Sequence, residues 1–311
     1  MWFVFAAASS LCFGLRGILY QWTSQRPMNR NLLLFGVFLS GALILLSASL
    51  ITGQAWTSAV WIGTLMGLFS FTSNAAMYRG FAVGKASLVA MFTGLPPVVV
   101  VLLAYLIWDE KLNGWQSISF LIIIAGIILI RYSSDLSLRN LQGAQWGALA
   151  MLFFALNDIT TKQSTVLGAA SLPTLTLMFA TGACLFGAVC LLDLKRQQHM
   201  AAIRLAALET AAASDQAVGR GPSSVSAQAM WPAGKTLLCG MLVGITNAVG
   251  MMLVMPAFKL GVTGLVSAVI AMNVAFVLIY ARFVLQEKFS RLEAGGMCCA
   301  LVGILLLRLS A

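Results

Sequence analysis

Apolar residues in this chain come in long runs separated by short polar connections. A helix needs about 20 mostly apolar residues to cross hydrocarbon. Read with that ruler, the chain offers ten segments: 2–22, 31–52, 57–79, 86–108, 114–132, 144–163, 171–193, 235–257, 263–285 and 293–310. The expected fold is therefore all-α, a polytopic membrane protein with ten transmembrane helices. Trp2 and Trp22 bracket the first segment as interfacial aromatics do, and no basic n-region or small-residue cleavage site accompanies it. It reads as the first transmembrane helix and not as a removed leader. The one long connection, 194–234, is rich in Ala, Ser, Gly and Gln. It reads as a flexible polar tether, with one short helix around Met200–Ala213.

The runs repeat. Trp108–Leu112 reads WDEKL and Leu285–Phe289 reads LQEKF, which sets Glu110 and Glu287 177 positions apart. At the same offset Phe81 and Gly84 align with Phe258 and Gly261, Gly63 and Gly67 with Gly240 and Gly244, and Ala125–Arg131 with Val302–Arg308. Earlier in each half, LCFGLRGI (Leu11–Ile18) aligns with LFFALNDI (Leu152–Ile159) at an offset of 141. The chain thus divides into 1–132 and 144–308, five spans each, with the linker at 194–234 interrupting the second half. An odd number of spans sends the second copy into the membrane from the opposite side. Such inverted repeats suit alternating access around a shared midplane site.

Composition agrees. The chain is 60% hydrophobic and 9% charged, whereas a soluble domain is about 25% charged; no water-soluble globule of this length hides so much apolar surface. The net charge of +10 is not a nucleic-acid footprint, because basic residues of such a chain collect in loops and set orientation. The cysteines (Cys12, Cys184, Cys190, Cys239, Cys298, Cys299) lack metal-ligand spacing and read as small core hydrophobes. No metal or other cofactor is expected. The one histidine, His199, falls in the polar linker, which leaves no imidazole for catalysis within the membrane.

FGLRG near the start, the Glu-Lys pair after the fourth and ninth spans and the Gly-Ile/Leu-rich endings resemble the EamA-type family of the drug/metabolite transporter superfamily. The resemblance covers roughly 2–132 and 144–308. It implies a ten-helix secondary transporter of the cell membrane, often an exporter of amino acids, metabolites or toxic compounds. Members of that family usually carry Asn or another neutral residue where this chain has Arg16.

Two ionised residues lie well inside spans, Arg16 and Asp158. A charge there costs about 2.5 kcal/mol or more at the bilayer centre, so each needs a role or a partner. Both sit past the middle of antiparallel helices, which separates them by roughly 12 Å along the membrane normal at a 1.5 Å rise per residue. In one reading Arg16 offers a fork of donors to a substrate carboxylate or phosphate and Asp158 takes an amine or a proton. In another, each helps to close the cavity on its own side. In the structural reading Arg16 snorkels or bonds helix carbonyls, and Asp158 pairs with Lys162 one turn on. Tyr20, Asn74, Tyr78, Asn157, Asn247 and Asn273 complete the candidate substrate set. The paired glycines promise close helix packing. Met251 and Met255 read first as core. Pro96-Pro97 falls mid-span, where a kink is expected, and Asn273 aligns with Pro96. Glu110 and Glu287 read as structural residues at helix ends in water, beside Lys111 and Lys288.

The expected partners are a small polar or amphipathic solute, amino-acid-like or anionic, the lipid bilayer, and a proton if transport is coupled; the assembly is a monomer or homodimer. An ATP-driven pump is disfavoured by the lack of a phosphate-binding loop. A membrane enzyme acting on lipid-linked substrates needs clustered acids, histidines or a metal site. A passive channel is a third class. The excess of Lys and Arg in loops after odd-numbered spans puts those loops in the cytoplasm and both termini outside, whereas the family resemblance implies cytoplasmic termini.

Overall fold

In a computed structural model, residues 1–24, 26–83, 89, 92–131, 143–214, 231–284 and 291–309 are described. They form helices, with no strand among them. In chain order these are α1 (Trp2–Ser24), α2 (Arg30–Thr52), α3 (Ile62–Val83, after a 3-10 turn at Ser58–Trp61), α4 (Pro96–Trp108), α5 (Gly114–Arg131) and α6 (Ala144–Val166). Then follow α7 (Ser171–Ser214), α8 (Ala233–Leu260), α9 (Thr263–Ala271), α10 (Asn273–Phe283) and α11 (Arg291–Leu309). Among the described residues, four helices are long and apolar enough to cross a membrane: α1, α2, α7 up to Arg196, and α8.

Local chemistry fixes several ends. Asn29 caps α2 by accepting the amides of Asn31 and Leu32 at its side-chain oxygen, and Gly53 closes the helix in the left-handed conformation that a residue without Cβ adopts cheaply. Three expectations are corrected. Pro96-Pro97 does not kink a continuous helix; the two prolines start α4, at its first two positions, where a missing amide costs no hydrogen bond. The ninth span is likewise not continuous: it breaks at Met272 between α9 and α10. The two helix starts, Pro96 and Asn273, are the residues that align at the 177 offset. Finally, α7 does not end near 193 but runs 44 residues, about 66 Å at 1.5 Å per residue, because Ala, Leu, Gln, Lys and Arg from 195 onward are good helix formers. The rest of the expected tether, 215–230, lies outside the described residues.

Packing follows the glycines. A Cβ on Gly63 would strike the carbonyl oxygen of Thr174, and one on Gly67 would press on that of Met178, so α3 lies backbone-close on α7. Gly240 and Gly244 bring α8 onto the carbonyls of Leu33 and Val37 of α2 in the same way. Gly41 receives the ring of Phe179 and Gly182 the ring of Phe38. Gly126 and Gly303 seat α5 against α11, each facing the backbone of the other helix at Ala300 and Ile123. Close approach of this kind supplies dispersion contact where lipid offers no hydrophobic drive. Elsewhere α1 packs on α8, α9 and α10, α3 on α6, and α4 on α6 and α9. The cysteines correct another expectation: none is fully buried, and Cys184 and Cys298 are exposed. Those two sit on the outer faces of their helices, which in an apolar bundle are themselves apolar.

Candidate functional site

Between α1, α2, α3, α4, α6, α7, α8, α9 and α10 lies a cavity of about 660 Å³. Arg16, Tyr20, Asn74, Asn157, Asp158, Asn247 and Asn273 all line it, so seven of the eight expected site residues come together. The side chain of the eighth, Tyr78, lies outside the described residues.

Arg16 is held by its own helix and by α8. Phe13 stands one turn before it and Tyr20 one turn after, on one face of α1. The guanidinium carbon lies 4.5 Å from the centre of the Phe13 ring and 5.9 Å from that of Tyr20. A cation over an aromatic face gains about 0.5–2 kcal/mol, more as water is removed. Arg16 Nη1 donates to Asn247 Oδ1 at 2.6 Å, a charge-assisted bond. Ser9 ties the same two helices together by donating to the Gly250 carbonyl at 3.1 Å. The guanidinium therefore meets the cavity already oriented.

Across the cavity α6 supplies acceptors. Ser267 Oγ of α9 donates to Asp158 Oδ2 at 2.5 Å. Asn157, 8% exposed, has a buried side-chain oxygen with no hydrogen-bond partner among the described residues. Leaving a buried acceptor unmade costs about 1–3 kcal/mol, so this oxygen is suited to accept from a donor in the cavity. The neighbouring hydroxyls do not bond to it, because Thr160 and Thr161 donate to the carbonyls of their own helix, at 2.8 Å to Leu156 and 2.7 Å to Asn157. On α3, Asn74 turns its amide to the Ser70 carbonyl at 2.7 Å. The rest of the wall is apolar and soft: Phe13, Phe38, Phe154, Met77, Met178, Met251 and Val254. Arg16 and Asp158 are the charged residues among those that line it, so one hollow presents a donor pole and an acceptor pole.

Several pairings differ from those expected. Arg16 and Asp158 each have a neutral partner on another helix. Lys162 does not pair with Asp158 one turn away; its ammonium lies 3.1 Å from Glu110 Oε1, both side chains mostly buried. Glu110 is thus no solvated helix end, and Lys111 pairs with Asp109 at 3.1 Å instead. Glu287 and Lys288 lie outside the described residues. Met251 lines the cavity, while Met255 is buried and receives the Ser164 hydroxyl at 3.7 Å. Sequence reasoning missed Ser267, a lone hydroxyl in an apolar run. It also missed Phe13 and Phe154, which align at the 141 offset and were legible there.

Residues 1–132 match the model of the EamA-like transporter family, which belongs to the drug/metabolite transporter superfamily. No curated protein sequence matches the chain. A crystal structure described only as that of a protein superposes with a TM-score of 0.73 at 15% sequence identity, covering 100% of this chain and 98% of the other. At that identity the likeness concerns the fold alone.

Proposed function

With its first 132 residues matched to the EamA-like transporters, we propose that the chain is a secondary transporter of the cell membrane. It has ten spans in two inverted halves, 1–132 and 144–308, and works by alternating access. The observation that carries this reading is that both halves line the cavity with aligned residues. Phe13 pairs with Phe154, Arg16 with Asn157 and Gly17 with Asp158 at an offset of 141. Ser70 pairs with Asn247, Asn74 with Met251 and Pro96 with Asn273 at 177. The packing supports it further. The contact of Gly63 with Thr174 has its counterpart in that of Gly240 with Leu33, and both partners are related by the same two offsets. Broken helices α4 and α9–α10 at mid-span are what carriers of this build use to bring backbone polarity to the binding site.

The cargo is a small amphipathic metabolite, zwitterionic or anionic. Arg16 takes its carboxylate or phosphate, Asp158 and Asn157 take an ammonium, and the aromatic and methionine wall takes an apolar body. Export, driven by a proton or by the solute gradient, follows the family resemblance. Counterflow in proteoliposomes tests the proposal, with amino acids, nucleosides, phosphorylated metabolites and cationic dyes screened first by thermal shift. A carrier exchanges labelled for unlabelled solute through one site. Flux without exchange would make the protein a channel.

A further inference from the structure

The cavity stops at a definite place. On α6 its last lining residue is Asp158, on α8 Val254 and on α9 Ser267. One helical turn beyond each, toward the same face of the molecule, stand Lys162, Phe258 and Thr263. These three positions and Glu110 form one polar cluster. Lys162 Nζ reaches Glu110 Oε1 at 3.1 Å and donates to the carbonyls of Phe258 at 3.0 Å and Gly261 at 3.2 Å. Glu110 in turn accepts the Thr263 amide at 2.7 Å and the Thr263 hydroxyl at 3.0 Å. An ammonium thus sits on the carbonyl end of α8 and a carboxylate on the amide end of α9, each where the helix dipole favours it. The side chains are 13% and 18% exposed, so the pair is screened far less than a surface salt bridge.

The cluster joins three segments: the chain just past α4, α6 near its C-terminal end, and the α8–α9 turn. The other half of the sequence has no cation at the aligned helix position, though its aligned turn carries Lys85. The position aligned with Lys162 is Gln21, and the one aligned with Thr263 is Ala86; a carboxamide carries no charge to pair with the aligned Glu287.

We propose that Glu110, Lys162 and Thr263 form a one-sided ionic latch that holds the cavity shut on the face where the α4–α5 and α8–α9 connections lie, and that opening toward this face requires the Lys162–Glu110 pair to part. The proposal rests on the alternating-access reading above. Its consequence is an intrinsic bias: the protein at rest favours the state closed on this face.

Pulsed electron paramagnetic resonance tests it. Spin labels are placed at Asn113 and Leu260, both exposed on this face, in a full-length background whose cysteines, none of which lines the cavity, are replaced by alanine. The parent is expected to give one short distance. K162Q, which installs the residue of the other half, and E110Q are each expected to add a population longer by about 5 Å, the scale of a one-turn shift. K162R, which keeps the charge, is expected to retain the short one. Unchanged distances in monodisperse K162Q and E110Q would overturn the latch, as would a K162R distribution as long as that of K162Q. Parallel counterflow separates this from the transport reading. Distances that move in a protein without exchange leave the latch standing and remove the carrier, and exchange with immobile distances removes the latch alone.

Discussion

Arg16 on α1 and Asn157 on α6 occupy aligned positions and line the same cavity, yet they have diverged completely. Arg16 is bonded to Asn247, whereas the side-chain oxygen of Asn157 has no partner among the described residues, and the position aligned with Asn247 is Ser70, a shorter side chain. The next residues diverge as well, Gly17 against Asp158. The helix interfaces do the opposite: Gly63 and Gly67 of α3 meet α7 as Gly240 and Gly244 of α8 meet α2, contact for contact. Backbone-close packing admits one residue type, and the aligned positions share it. A cavity wall tolerates other side chains, and the differences at its aligned positions give the hollow its donor and acceptor poles.

The interfaces should break first. Leucine at Gly63, or at its counterpart Gly240, drives a branched side chain into a carbonyl of the facing helix. Overpacking costs typically 1–3 kcal/mol and occasionally more, and a buried carbonyl has nowhere to move. Loss of most folded material is expected for both, read by size-exclusion elution after extraction. Unequal losses would show that the two interfaces are not equivalent.

Arg16→Ala should come next. Deleting a donor that bonds a charged group costs about 1.5–3 kcal/mol, so binding of an anionic or zwitterionic solute should weaken roughly 10- to 100-fold while the protein still inserts. Arg16→Lys, which keeps charge without the fork, should fall between. Unchanged transport in Arg16→Ala would retire its role. The smallest change is expected from Asp158→Asn: solute should still bind, but the pH dependence of transport should change, because the carboxyl on the cavity wall is gone. An identical pH profile would place any coupled proton elsewhere.

Much of this was legible in the chain. Segment length located the helices, and two fixed offsets located the glycines that seat them, because both signals are local or periodic. Of the cavity residues, Arg16 and Asp158 were found through the cost of burying charge, and Tyr20, Asn74 and Asn247 through helical spacing. What escaped was non-local or masked by hydropathy. Lys162 was assigned its neighbour one turn away, but Glu110, 52 positions earlier, offers a carboxylate that also caps a helix. Apolar runs continue straight through Leu95 and Met272, so hydropathy joins what the backbone interrupts. Ser267 gave no sign, since a single hydroxyl in a span is usually satisfied by its own helix; here it donates across to Asp158.

The start of α4 has a consequence for how the two halves tolerate change. Pro96 and Pro97 bring no amide hydrogens, and Val98 donates to the Leu95 carbonyl at 3.1 Å, so the interruption strands almost no donors in oil. At Met272 the same interruption is managed by ordinary amides folded back on the preceding turn, Met272 to Val269 at 3.2 Å and Ala275 to Met272 at 2.9 Å. Leu95 donates to Phe92 at 3.1 Å in the aligned place, so flexing at either joint strains matching hydrogen bonds, and the prolines spare α4 only the two amides that Asn273 and Val274 still carry.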